Sequence, residues 1–585
     1  MRALLTTVLG LSLAASAAAV DVFPLADVEP GLRGIGKTVF EGERVEEFEV
    51  EILGVLDNVG PKQSIILGRL SGGPLARTGV MAGMSGSPVY VDGKLVGAVA
   101  FSFEFATEPI TGIRPIEDML AGSGAAPLQV AGDRMELAGL LRGENGLLPR
   151  ASAPPGGESG LLPIATPVAF AGFSEGTLRV FGERLRTLGL RPLQGLGGRS
   201  RDGFEQELEP GAMVSVSLID GDLQVAASGT VTHIEGDRIW AFGHPFISAG
   251  PAELPLRRAS VLTLVPNRNN SFKLAASGPV AGKINLDRSA GVGGVLGQEA
   301  ATVPVSITVN GSDDQDRNYS LRLARDPSLT PFLLQMSVFS VIDAHERQVG
   351  AASVRLQGEA RFAGGEPPLR LDNVYAAPGA VGLQAALGTA MPLAWALQSA
   401  DGELDVEEIE LSIEARIGEQ ATRLARAWAA KQVVRAGENL ELTAIFRRAD
   451  GSELRREVSY RLPGSLAAGE LFVTFSEGSR LNMLEAVALS SELARRDPGD
   501  WVRAANRLRP NDRFYVRLWR QEPAFRLGGD RLSAPPASVR AVLETPVAAG
   551  GGSARESSST LAEIAMEGFD GAVRGEASLK IVVTP

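Results

Sequence analysis

Phe48, Val50 and Ile52 alternate with Glu47, Glu49 and Glu51. A period of two predicts a strand with one wet face and one buried face. Residues 64–70, 87–90 and 95–101 extend the pattern, and Asp92-Gly93 between the last two predicts a tight hairpin turn. Residues 121–162 lose the alternation and become rich in Gly, Pro and Ala, the signature of a linker. Short β runs return at 213–219, 225–234, 238–242 and 303–309. Residues 330–435 are mixed. Residues 433–475 alternate again and predict a sandwich-like module. Residues 481–496 and 501–508 carry helical spacing with Pro498 between them, and 547–559 reads as a loop. The expected organisation is a leader over 1–19, β units over 20–125 and 163–325 separated by a linker at 126–162, a mixed region over 326–430 and a sandwich with helices over 431–585.

Composition narrows the chemistry. The 585 residues contain no Cys and three His, which removes disulfides, thiolate nucleophiles and Cys-ligated zinc. His233, His244 and His345 are too scattered for a His-rich metal centre, so no metal and no cofactor is expected. A net charge of −12 argues against a nucleic-acid-binding face. Glycine, 69 of 585 residues, exceeds the usual ~7% and suits a turn-rich β protein. Met1-Arg2, an apolar stretch over 3–15 and Ala17-Ala18-Ala19 predict a cleavable secretory signal. The competing reading is a retained anchor, and the small residues favour cleavage. No later segment reaches the ~20 apolar residues of a membrane span. The expected location is the periplasm or the extracellular space.

Gly31-Leu32-Arg33-Gly34-Ile35-Gly36-Lys37-Thr38 fits the phosphate-loop pattern letter for letter. That loop needs a helix behind it whose N–H groups hold phosphate. Here strand alternation follows, so nucleotide binding is not expected, and the glycines read as a bend between strands. Asp313-Asp314-Gln315-Asp316 lacks the glycine and distal glutamate of a calcium loop and reads as a hairpin tip.

The informative segment is Gly83-Met84-Ser85-Gly86-Ser87-Pro88, followed by a short strand and the Asp92-Gly93 turn. It is similar to the nucleophile segment of chymotrypsin-like serine peptidases. A reactive serine needs a tight turn with small neighbours, and the N–H groups of Gly83 and Ser85 could together form an oxyanion hole. The wider stretch 77–100, with Pro115-Ile116-Glu117-Asp118-Met119-Leu120, resembles the SpoIVB serine-peptidase family. A second patch resembles that family at Gly229-Thr230-Val231-Thr232 and Trp240-Ala241-Phe242-Gly243-His244, and a third over 284–297. The resemblance implies a trypsin-like double β-barrel, with Ser85 as nucleophile and His244 as general base. His233, on an alternating strand, and His345 are the other two candidates for the base.

Two features depart from the family pattern. Its histidine segment precedes its serine segment, whereas here the serine comes first. Its acid lies about fifteen residues before the serine, where this chain has Leu70-Ser71-Gly72, and no Asp or Glu occurs between Asp57 and Asp92. Asp287 and Asp237 are the candidates for an orienting acid. The function expected is an exported serine endopeptidase acting on protein substrates, itself included, by acyl-enzyme chemistry. The alternative is a catalytically inactive envelope protein that uses the same fold as a binding scaffold.

Overall fold

The computed structural model describes residues 21–60, 62–103, 105–121, 160–195, 204, 206–310, 316–345, 352–399, 403–493, 497–522, 524–527, 530–532, 535–543, 553–556 and 558–585. The expected signal segment, most of the linker and Asp313–Gln315 lie outside the described residues.

The first unit holds β1 (Arg33–Glu41), β2 (Arg44–Gly60), β3 (Gln63–Ser71), β4 (Pro88–Val91), β5 (Lys94–Phe103) and β6 (Ile110–Pro115). The alternation in β2 does what it predicts: Phe48, Val50 and Ile52 are buried while Glu47 and Glu49 are exposed. Those three side chains join Ile66, Leu70, Val89, Val99 and Ile113 in one core. The ladder runs β4–β1–β2–β3–β6–β5, and β4 also pairs with β5, so the hydrogen-bonded path returns to its start. The phosphate-loop-like octet enters β1 with no helix behind it. Gly36 is required there, because a Cβ would stand 2.1 Å from the Phe48 ring. At the end of the predicted linker, β7 (Leu161–Pro163) adds to β5.

The second unit follows with β8 (Thr166–Ala171), β9 (Leu190–Gln194), β10 (Met213–Gly221), β11 (Gln224–Glu235), β12 (Arg238–Ala241), β13 (Gly250–Val265), β14 (Phe272–Arg288) and β15 (Gly291–Leu296). It contains a similar circuit, β10–β13–β14–β15–β12–β11, with β10 pairing back onto β11. The sheets as wholes are nonetheless not the two closed barrels the sequence suggested. The second grows to fourteen strands. Strands β16 (Thr302–Asn310) and β17 (Asp316–Ala324) extend it from β10, and β16 pairs in parallel with Val406–Ile417. Ile409, Leu411 and Ile413 bury one face of that strand. The region read as mixed is therefore part of this sheet. Helices Leu329–His345 and Val381–Ser399 cover it, and Phe181 meets Phe332 and Phe339 edge-on at 5.8 and 5.5 Å.

The last part is a sandwich. A four-stranded and a five-stranded sheet share a core containing Leu442, Phe446, Leu471, Phe475, Val516 and Ile581. Helices Gly478–Leu493 and Pro498–Ala505 lie close to the predicted positions, with Pro498 starting the second where its missing N–H costs nothing. Within the predicted loop 547–559, Ser553–Glu556 instead pairs with Ala524–Leu527. Among the described residues no helix is long and apolar enough to cross a membrane.

Trp395 is fully buried and meets Trp501 edge-on at 5.6 Å, which ties the helical layer to the helix Pro498–Ala505. Trp395→Ala should cost about 3–5 kcal/mol by loss of contact and cavity formation, measured as a lowered urea midpoint.

Candidate active site

The serine loop spans residues 79–87, between the short helix Leu75–Thr78 and β4. It is built onto the second unit. Ala82 donates its N–H to Ser271 and accepts from Lys273, which fastens the loop to the start of β14. Thr230 on β11 donates its N–H to the Ser85 carbonyl at 2.9 Å and its hydroxyl to the Gly83 carbonyl at 2.9 Å. Thr232 donates its hydroxyl to the Gly86 carbonyl at 2.7 Å. Gly86 has φ +97°, and a Cβ there would stand 2.0 Å from the Thr230 oxygen and 2.5 Å from the Phe242 nitrogen. The glycine after the serine is thus set by contact between the two units.

These contacts leave a particular pattern of donors. The N–H groups of Met84, Gly86 and Ser87 are taken by Met81, Val99 and Met84 carbonyls. The N–H groups of Gly83 and Ser85 enter none of the described hydrogen bonds. Ser85 is fully buried, and its Oγ has no hydrogen-bond partner. The loop therefore offers an uncommitted hydroxyl beside two uncommitted N–H groups.

His244 follows β12 through Phe242 and Gly243, both with positive φ (70° and 67°). Phe242 donates its N–H to the same Thr230 whose N–H holds Ser85. Gly243 packs against Ala98 and Ala100, with its Cβ position 3.4 Å from the Val99 carbonyl, the oxygen that accepts from Gly86. The serine and histidine segments thus meet across one seam. They do not form the expected bond, since Ser85 Oγ and His244 Nε2 are each buried without a partner. His244 Nδ1 lies 2.8 Å from the Pro245 carbonyl. A carbonyl only accepts, so Nδ1 carries the proton and Nε2 presents its lone pair. Burial pushes this imidazole down to about 4; the Pro245 carbonyl opposes the shift and nearby Arg114 adds to it.

Neither candidate acid touches the imidazole. Asp287 receives N–H bonds from Phe246 (2.7 Å), Ile247 (2.8 Å) and Ala249 (3.0 Å), so its carboxylate holds the turn after His244. Burial raises its carboxyl above the ordinary range, while the backbone donors of Ala249, Ile247 and Phe246 pull it down. Asp237 is exposed in the β11–β12 turn, separated from His244 by the length of β12. A backbone carbonyl stands where the acid was expected. His233 stacks on Trp240 at 5.5 Å, and His345 bonds to the Tyr319 hydroxyl at 2.6 Å; neither joins the seam.

One residue here escaped the sequence reading. Lys273 is 1% exposed, packs its stem against Gly83 and donates to Thr38 Oγ1 at 2.6 Å. Ser87 Oγ donates to the same Thr38 oxygen at 3.0 Å. Burial depresses the Lys273 amine to about 7. A lone lysine in an alternating strand reads as solvent-facing, so nothing in the sequence marked it.

Residues 12–120 match the model of the SpoIVB peptidase S55 family. The match contains the whole serine loop and ends before the histidine segment. It supports, at family level, a serine peptidase of the SpoIVB type. No curated protein and no solved structure matches the chain.

Two predictions follow from the buried bases. His244 unfolds from a depressed value toward 6.5, so stability is complete above 6.5 and is lost as pH falls toward about 4. The loss should reach about 3 kcal/mol, and chemical denaturation across this range should show it reduced in His244→Gln. Lys273 follows the same sign over a higher window: its burial penalty is full below about 7 and is relieved as pH rises toward 10.5. Lys273→Met should therefore raise the thermal midpoint at pH 6, with the gain shrinking by pH 10.

Proposed function

We propose that the chain is an exported serine endopeptidase that cleaves protein substrates, itself among them, through an acyl-enzyme. Ser85 Oγ attacks the peptide carbonyl, and its proton moves to His244 Nε2. The carbonyl oxygen gains the electron pair and is held by the Gly83 and Ser85 N–H groups. Collapse expels the amine, which takes the proton from the imidazolium, and water then releases the acyl group by the reverse transfers. The uncommitted pair of N–H groups flanking an unpartnered Ser85 hydroxyl carries this reading; an ordinary glycine-serine turn would have its amides engaged.

The same geometry bears on the rate. Pro245 holds the imidazole in the required tautomer, but a neutral carbonyl stabilises the imidazolium less than a carboxylate does. Removing the acid from a complete triad lowers kcat by about 10⁴, so slow turnover is expected. Both reacting groups are also buried, at 0% exposure for Ser85 and 3% for His244. Substrate access requires the seam to part. The Ser85–His244 hydrogen bond, unmade in this closed arrangement, would form as the substrate seats. The uncommitted donors favour this peptidase reading over the inactive scaffold.

The test is a fluorophosphonate with the adduct located by peptide fragmentation. An adduct on Ser85 is expected, absent in Ser85→Ala and forming at least ~10-fold more slowly in His244→Gln. Intact, folded protein with no adduct on Ser85 would overturn the assignment.

A further inference from the structure

The serine loop carries a second hydroxyl, and the surroundings of Ser87 differ from those of Ser85. Ser87 is fully buried and its Oγ is engaged with Thr38 Oγ1 at 3.0 Å. Thr38, also fully buried, lies 2.6 Å from Lys273 Nζ. Three polar side chains from three elements (the serine loop, β1 and β14) thus form one continuous chain. Among the described residues no carboxylate pairs with Lys273. Thr38 from β1 and Gly83 from the loop lie against it, Ser87 is bonded to that Thr38, Met213 from β10 packs on that Gly83, and Leu264 is opposite it on β13. None of these carries a charge.

An ammonium in such a place has one acceptor for three donors and no counter-ion, which favours the neutral amine. With the amine neutral, Nζ has a lone pair and the contact with Thr38 reverses: Thr38 O–H donates to Nζ. The Thr38 oxygen is then free to accept from Ser87, as the geometry already shows. Every hydroxyl has one outlet, and the proton path runs Ser87 to Thr38 to Lys273.

We infer that Ser87, Thr38 and Lys273 form a second nucleophilic centre in this loop, with Lys273 the base and Thr38 the relay, reactive toward acyl and phosphonyl electrophiles. In the step itself, Ser87 Oγ forms the new bond to the electrophilic carbon or phosphorus. Its proton passes to Thr38 Oγ1, and the Thr38 proton passes to Nζ, leaving an ammonium. With a peptide, the carbonyl electron pair moves to oxygen; collapse breaks the C–N bond, and the departing amine recovers a proton from Lys273 through Thr38. With a fluorophosphonate, fluoride leaves instead and the proton stays on the amine. This centre goes beyond the Ser85–His244 pair and requires no group from it. It also accounts for a cost: a buried unpaired lysine is unfavourable to stability and has no structural partner that explains its presence.

Fluorophosphonate and sulfonyl fluoride labelling between pH 5 and 9, with adducts assigned separately to Ser85 and Ser87 by fragmentation, tests it. An adduct on Ser87 is expected, with a rate that rises through a midpoint of about 7 as Lys273 loses its proton. Thr38→Val and Lys273→Met should each slow the Ser87 adduct at least ~10-fold, while Thr38→Ser, which keeps the hydroxyl, should hold it within about threefold. Thr38→Val is nearly isosteric, and circular dichroism of each variant verifies folding. An adduct on Ser85 alone would overturn this centre and leave the Ser85 assignment standing. An adduct on Ser87 alone would do the reverse. A Ser87 rate unchanged in both Thr38→Val and Lys273→Met would show that the relay is not used and overturn the inference.

Discussion

The clamp of the serine loop onto β11 is the constraint on which the candidate site depends. Thr230 and Thr232 hold the carbonyls of Gly83, Ser85 and Gly86. In the loop held this way, the N–H groups of Gly83 and Ser85 enter none of the described hydrogen bonds. Gly86 lets the two backbones approach to a separation no side chain would permit. The same Thr230 accepts from Phe242 and so sets the start of the turn that leads to His244. One residue on one strand thereby positions both halves of the proposed machinery, although they lie far apart in sequence.

The electrostatics of the seam follow from dryness rather than from opposing charge. His244 and Lys273 are buried, burial is the leading cause of both depressions, and both are held neutral near pH 7 or above. Neutral nitrogen bases are what proton transfer from a serine needs. Asp287 is spent on backbone amides and acts as a brace for the turn after His244.

Much of this was legible in the chain. The two-residue period of β2, the Asp92-Gly93 hairpin and the sandwich were readable because each leaves one face wet. The Gly-Met-Ser-Gly-Ser-Pro segment was readable because its glycines answer a local steric demand. The helix Leu329–His345 was not: it is buried on nearly every side from Leu329 to Ile342, so it carries no amphipathic stripe. The strand Val406–Ile417 joins its sheet by a parallel pairing across a hundred residues, which no local pattern encodes. Asp287 was picked out for its chemistry and proved to serve the backbone. Lys273 was invisible because a polar residue at a strand position looks solvent-facing until the two units meet, and Thr38 was read only as the end of the phosphate-loop-like octet.

The central claim is that the Gly83 and Ser85 amides form an oxyanion hole facing the Ser85 hydroxyl, with His244 across the seam. A crystal structure of the Ser85-phosphonylated protein tests it most directly. The account predicts the phosphoryl oxygen within ~2.7–3.1 Å of both nitrogens and His244 Nε2 turned toward the modified Oγ. A phosphoryl oxygen pointing away from both amides, with His244 still bonded only to Pro245 and remote from the adduct, would contradict it.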